Sequence, residues 1–260
     1  MQTTLPLIPE AKREYDAWHA RHEVDAEADA PWHSLVRSHL RPEIDLAGRR
    51  ILEIGCGRGG FSCWLAGRPR PPRDLVAADF SETAVAKGRE FARRKGLDNI
   101  TWRVADIQQL PFADDTFDTV ISCETIEHVP DPARAVRELA RVLKPGGRLL
   151  LTTPNYCSTQ GLYRAYLWAC GRRYTECGQP INNLTHVLLT RAWVRRAGLQ
   201  ITAVDGIGHY LPFPGCPPIR FPRLDNPRVL MKWIALHLLV IAQKPRPTTE
   251  PAPSGAVDRR

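Results

Sequence analysis

The chain has 260 residues, 43% apolar and 25% charged, with a formal net charge of +8. These values fit a soluble globular α/β domain with insertions, and no apolar run reaches the roughly 18 residues a membrane span needs. The basic residues are dispersed over presumptive helix faces, which argues against nucleic acid as a substrate.

The first 48 residues carry two helical patterns, at 11–22 and after Pro31 at 32–40. They are expected to form a helical lid and lack the basic-then-apolar pattern of a secretory signal. From residue 49 to 245 strand-like and helix-like segments alternate. Strands are expected at 50–54, 75–79, 100–105, 119–123, 148–153, 199–205 and 236–242. Helices are expected at 60–66, 82–95 and 132–143. Ser81 reads as the N-cap of the second helix and Gly96 as its stop. Asp131-Pro132 opens the third, and Lys144-Pro145-Gly146-Gly147 closes it. β-Branched strands alternating with helices imply a parallel sheet covered on both faces, with ligands at the strand C-termini. Two insertions interrupt the pattern, an aromatic one at 154–190 and a proline-rich one at 209–228, the latter read as an irregular loop. The tail at 246–260 lacks the apolar residues that order requires. Seven scattered cysteines without a C-x-x-C pair suggest reduced thiols and a cytoplasmic setting.

Residues 51–60 read Ile-Leu-Glu-Ile-Gly-Cys-Gly-Arg-Gly-Gly. An apolar run ends in an acid and three alternating glycines, Gly55, Gly57 and Gly59, then a helix follows. Glycines permit a tight turn and close approach of backbone to a ligand. Dinucleotide loops use G-x-G-x-x-G and have no acid inside the strand, so the spacing here differs. Three more sites fall at strand ends: Asp79-Phe80, Asp106-Ile107 and the segment from Cys123 and Glu124 to Pro132. An acid such as Asp79 at the second strand's end can accept both hydroxyls of a ribose; an N-cap or turn role is equally open to it.

Taken in order, E-x-G-x-G-x-G, Asp79, V-A-D-I-x-x-L-P-F, F-D-x-V-I-S-x-E-x-I-E-H-V-P-D-P and L-K-P-G-G-R-L-L-L-T-T-P-N resemble the class I S-adenosylmethionine-dependent methyltransferases. They look like those related to the ubiquinone and menaquinone biosynthesis enzymes, over about residues 50–155, with a weaker echo at 189–199. The resemblance implies a doubly wound, Rossmann-like, seven-stranded α/β sheet with its last strand antiparallel. It also implies S-adenosylmethionine as cofactor, held by Glu53, Gly55, Cys56, Gly57, Asp79, Phe80, Asp106, Ile107, Cys123 and Glu124, with Asp106 at the adenine amino group and Ile107 on the ring. No metal-ligand cluster stands out in the sequence.

A small-molecule acceptor is expected between the lid and the two insertions, lined by Trp18, His33, Asn155, Tyr156, Tyr163, His186 and Tyr210. Such aromatics suit a planar or lipophilic molecule and serve equally as a second core or a dimer contact, so monomer and homodimer both remain open. O-Methylation of a hydroxyl calls for a general base, for which His128 comes first and His186 second. N- or C-methylation, an RNA or protein substrate, and a non-catalytic cofactor-binding subunit are the alternatives.

Overall fold

The computed structural model of the protein describes residues 8–22, 27–172, 178–213, 216–225 and 230–247. Two helices, α1 (Ile8–Arg21) and α2 (Pro31–His39), precede the sheet. The chain then runs β1 (Arg50–Ile54), α3 (Gly60–Ala66), β2 (Asp74–Asp79), α4 (Glu82–Arg94), β3 (Ile100–Val104), β4 (Phe117–Cys123), α5 (Pro132–Val142) and β5 (Leu143–Pro154). It continues through α6 (Thr159–Ala169), α7 (Val187–Arg196), β6 (Gln200–Ile207), β7 (Tyr210–Phe213), β8 (Cys216–Arg220) and β9 (His237–Gln243).

Seven strands form one sheet in the order β3-β2-β1-β4-β5-β9-β6. Strands β1 to β5 pair in parallel, while β9 lies antiparallel between β5 and β6. The order reverses between β1 and β4, and at such a reversal the crossover loops part to leave a crevice at the strand C-termini.

The central strands β1, β2, β4, β5 and β9 are buried on both faces, and successive strand residues serve opposite layers. Leu52, Ile54, Val120, Leu149, Leu151 and Val240 pack under α5 and α7 through Val136, Leu139 and Val194. Ile51, Leu75, Ile121, Leu150 and Ile241 pack under α2 and α3 through Leu35, Val36, Phe61 and Leu65. The caps follow from local chemistry. Ser81 Oγ accepts the Ala84 amide at 3.1 Å, and Asp131 Oδ1 accepts that of Arg134 at 2.9 Å, with Pro132 at the first helical position.

At the opposite, N-terminal edge of the parallel strands, a turn at Pro42–Leu46 buries Asp45 completely. Its carboxylate pairs with the Arg148 guanidinium, which is 8% exposed, and accepts the Arg41 amide at 2.7 Å.

One expectation needs correction. The 209–228 segment is not irregular throughout: β7 and β8 form an antiparallel hairpin that pairs Tyr210 with Arg220 and Leu211 with Ile219. Prolines read as loop signals fit there because each strand of a two-stranded ribbon has an outer edge that needs no ladder donor. The aromatic insertion also contains a helix, α6, capped by Ser158 Oγ on the Gln160 amide at 3.2 Å. Of the tail, only residues 246 and 247 lie within the described residues. Among the described residues no helix is long and apolar enough to cross a membrane.

Candidate active site

The crevice begins where β1 ends. Gly55, Gly57 and Gly59 all take left-handed backbone angles, φ +76°, +51° and +76°, which side chains beyond glycine adopt only under strain. The turn is pinned from below: the Gly55 and Cys56 amides both donate to the Ala78 carbonyl, at 2.8 and 3.0 Å. Asp79 ties the loop from the side. Its Oδ2 accepts the Gly57 amide and its Oδ1 the Ser81 amide, each at 2.9 Å. Both oxygens keep a second lone pair, and the carboxylate lines the cleft.

The cleft encloses about 1170 Å³ of open space, its mouth included. Its floor is built from Ile54, Gly55, Gly57, Asp79, Phe80, Asp106, Ile107, Cys123, Glu124 and Thr125, and its far wall from His128, Val129 and Pro130. From above come Tyr15, Trp18 and His19 of α1 and Trp32 of α2, with Gln179 and Ile181 of the insertion.

Helix α1 is fastened over the crevice by polar contacts to the start of α4. Asp16 Oδ1 accepts from Ser81 Oγ at 2.6 Å and from the Thr83 amide at 3.0 Å, and Lys12 pairs with Glu82. The Tyr15 hydroxyl donates to the His128 carbonyl at 3.0 Å, closing the roof onto the wall. Burial raises the Tyr15 pKa, so the phenol stays a donor.

Several residues expected at the site stand elsewhere. Glu53 is 2% exposed and accepts a hydrogen bond from Ser62 Oγ, which fastens β1 to α3 beneath the glycine turn. Cys56 is buried, with its thiol pKa pushed well up by desolvation. Asn155 is fully buried and staples loops: its amide donates to the Trp233 and Ala235 carbonyls, and its Oδ1 accepts from the Cys157 and Val187 amides. His186 is the N-cap of α7, its Nδ1 accepting the Leu189 amide at 3.3 Å. Tyr156 packs under the Arg164 guanidinium at 4.8 Å, Tyr163 on Tyr166 at 6.3 Å, and Tyr210 under Arg220 at 5.3 Å. None of these seven lines the cleft. Residues that do line it and were not singled out include Thr125 and Gln108, immediate neighbours of the motifs; Gln179 and Ile181 carry no local signal.

His33 also lies outside the cleft, stacked on Phe61 with centroids 4.9 Å apart and planes 8° off parallel. Burial, and secondarily Arg37, pushes its imidazole down to about 4. The folded value lies below the unfolded one of about 6.5, so the unfolded chain binds more protons between them. The stability linked to His33 is therefore complete above about pH 6.5 and is lost as pH falls toward 4. Against wild type, His33→Phe is expected to gain about 2 kcal/mol in unfolding free energy between pH 8 and pH 5. Urea titrations at the two pH values measure this, and an unchanged difference refutes it.

His128 sits in the wall but is already engaged. Its Nδ1 donates to the Ile181 carbonyl at 2.9 Å, and its Nε2 lies 3.6 Å from Glu127 Oε1. Burial pushes its pKa down to about 4, the Ile181 contact offsetting only part of the shift. The imidazole is neutral at physiological pH, but it is a weak proton acceptor. Any acid loss of activity through it would fall near pH 4, not just below neutrality as a histidine base implies from sequence. Among the described residues, no three His, Cys, Asp or Glu side chains converge to hold a metal ion.

A family model described as a methyltransferase domain matches residues 52–151. The ubiquinone biosynthesis O-methyltransferase of Xanthomonas euvesicatoria pv. vesicatoria is 33% identical over 189 residues, covering 68% of this chain and 74% of the relative. The enzyme of the same name from Coxiella burnetii is 30% identical over 180 residues, 67% and 73% of the two chains. Methyltransferase GfsG of Streptomyces halstedii is 34% identical over 138 residues, and the chain spans about half of that relative (49%). Among solved structures, an S-adenosylmethionine-dependent methyltransferase from Mesorhizobium loti aligns with a TM-score of 0.58 at 22% identity, covering 83% of this chain and 99% of its own. The [4+2]-cyclase SpnF aligns with a TM-score of 0.64 at 18% identity over 94% and 98%. The structures speak for the fold alone; the glycine turn, the acid after β2 and the identity to the ubiquinone enzymes place the chain in the class I S-adenosylmethionine-dependent methyltransferases.

Proposed function

We propose that this methyltransferase acts on a hydroxyl of a small, planar or lipophilic acceptor. The observation that carries the reading is a single cleft with two halves. One half is backbone and carboxylate: the glycine turn, Asp79 and Asp106. The rest of the lining includes the aromatic side chains Tyr15, Trp18 and Trp32, together with Glu124 and His128.

The residues present fit the cofactor. A Cβ on Gly55 would stand 2.1 Å from Thr125 Oγ1, so only glycine leaves that approach open. Gly55 and Gly57 would hold the amino-acid end, Asp79 the ribose hydroxyls, and Asp106 with Phe80 and Ile107 the adenine. When bound, S-adenosylmethionine supplies a methyl group activated by its sulfonium. The chain's part is to align the acceptor, exclude water and receive a proton. Residues 8–22 would serve as the lid, since α1 covers the crevice and is fastened at α4.

The acceptor is kept small by the closed roof. Four basic residues of 155–236 are turned onto protein groups: Arg164 onto Tyr156, Arg191 onto Trp233, Arg220 onto Tyr210 and Lys232 onto Asp205. The relatives' name supports oxygen as the target atom.

Methyl-labelled S-adenosylmethionine, offered with phenols, catechols, amines and bulk RNA, tests the reading by the bond that carries the label. A methoxy product supports it; label on nitrogen, carbon or RNA overturns it. Asp79→Ala is expected to weaken S-adenosylhomocysteine binding by about 1–3 kcal/mol, through loss of a charged acceptor. Calorimetry on the folded variant checks this, and wild-type affinity would move the ribose site away from β2.

A further inference from the structure

One carboxylate in the cleft has a geometry that cofactor binding does not explain. Glu124 follows β4 with φ +45°, one of two non-glycine residues with a left-handed backbone among those described. Its amide donates to the Thr152 carbonyl and to Thr152 Oγ1, both at 3.1 Å, which fixes the strained residue in place. Strain held this firmly concentrates at functional positions.

The side chain is 10% exposed, and its two oxygens differ. Oε2 lies 3.0 Å from His237 Nδ1. Oε1 is buried with no hydrogen-bond partner among the described residues, although Glu124 lines the cleft. A buried carboxylate oxygen without a partner is costly, and a donor brought by a ligand would satisfy it.

The topology says which ligand. His237 is the first residue of β9, which lies beyond β5 as seen from β4. The carboxylate therefore reaches across β5, away from the glycine turn and from the Asp79 and Asp106 ends of β2 and β3. On that side His237 is packed by Trp32, ring centroids 5.0 Å apart, and Trp32 itself lines the cleft.

We propose that Glu124 is the acceptor-binding catalytic carboxylate, with Oε1 receiving the acceptor's hydroxyl, and that His237 is its positioning residue. This rests on the hydroxyl-acceptor reading above and reassigns Glu124 from the cofactor to the acceptor. The proton of the hydroxyl passes to Oε1 as the oxygen forms its bond to the methyl carbon. The electron pair of the breaking carbon–sulfur bond remains on sulfur, so the sulfonium charge disappears as the carboxylate becomes a neutral acid. The proton leaves to solvent when the methyl ether departs. His237 Nδ1–H holds Oε2 and so aims Oε1, as an orienting group does for a catalytic base.

The experiment uses full-length protein and catechol as the probe acceptor. S-Adenosylhomocysteine affinity is measured by calorimetry, catechol binding to that complex by ligand-observed NMR, and methylation of catechol with labelled S-adenosylmethionine. Glu124→Gln, which keeps the shape, is expected to retain S-adenosylhomocysteine affinity within about threefold. It should weaken catechol binding at least tenfold and lower kcat by a hundredfold or more. His237→Asn, whose amide can still donate, should keep at least a third of kcat, while His237→Leu should lose tenfold with little change in S-adenosylhomocysteine affinity. If His237→Leu does not fold, Glu124→Gln with His237→Asn decides the matter. Tenfold loss of S-adenosylhomocysteine affinity in Glu124→Gln, unchanged catechol binding and rate in that variant, or no catechol binding to the wild-type complex would each overturn the assignment. Failure of wild type to bind S-adenosylhomocysteine would instead overturn the placement of the cofactor in this cleft.

Discussion

Gly55→Val is expected to lower S-adenosylhomocysteine affinity by at least a hundredfold. Two effects combine at this position. The left-handed backbone, φ +76°, costs an L-residue about 1–2 kcal/mol. The new Cβ would also stand 2.1 Å from Thr125 Oγ1 and 2.6 Å from its Cγ2, so either the glycine turn or the β4 loop must move. Both border the cleft, and the Gly55 amide anchors the turn to Ala78. Movement of either displaces the backbone that would meet the cofactor. Gly198→Ala is the control: φ is +80°, but nothing lies within 4 Å of the added Cβ. It should show the conformational cost in its melting temperature and wild-type affinity in calorimetry. If Gly55→Val binds as wild type does, the cofactor does not lie against this turn.

The second large effect is on stability. Asp45→Ala removes the partner of a buried guanidinium and is expected to cost about 3–5 kcal/mol, because Arg148 is left charged and desolvated. At this chain length that corresponds to a fall of about 10 °C in melting temperature. The loss belongs to the broken pair rather than to a net gain from its presence. The double substitution Asp45→Leu with Arg148→Met should therefore recover most of it, since a hydrophobic pair of similar volume often equals a buried ion pair. Cofactor affinity should be untouched in both, as the pair lies at the edge of the sheet opposite the crevice. A single variant that melts within 2 °C of wild type would show that water reaches Arg148.

The sheet was legible in the sequence because its central strands are buried on both faces and are written as apolar runs, as in Leu75–Ala78 or Leu149–Leu151. The helix starts at Ser81 and Asp131 were equally legible, since a cap is a local bond between residues three apart. The glycine turn, Asp79 and Asp106 stand beside strand ends and could be placed by order alone. What escaped was non-local. His186 looked like a base beside asparagines, whereas an unbonded amide at the start of α7 claims its ring. The aromatics of the insertion looked like a pocket, yet Tyr156 and Tyr210 are covered by arginines of their own segment. The contact between Glu124 and His237 spans 113 positions. It exists only because β9 folds back beside β5, and no spacing in the sequence announces it.

The position of β9 has a bearing on how the molecule is made. Among the described residues it is the last strand in chain order, yet it fills an interior slot of the sheet. A chain growing from its N-terminus therefore exposes the open edge of β5, with Leu149, Leu150 and Leu151, until residue 237 emerges. Such an unpaired apolar edge invites pairing with other chains. The contacts that close it are long in sequence, which slows the closing step. Arrival of β9 both seals that edge and delivers His237. A chain that stops short of this strand would have its glycine turn but neither a closed sheet nor the contact between His237 and Glu124, so sheet completion and the fixing of that carboxylate become one event.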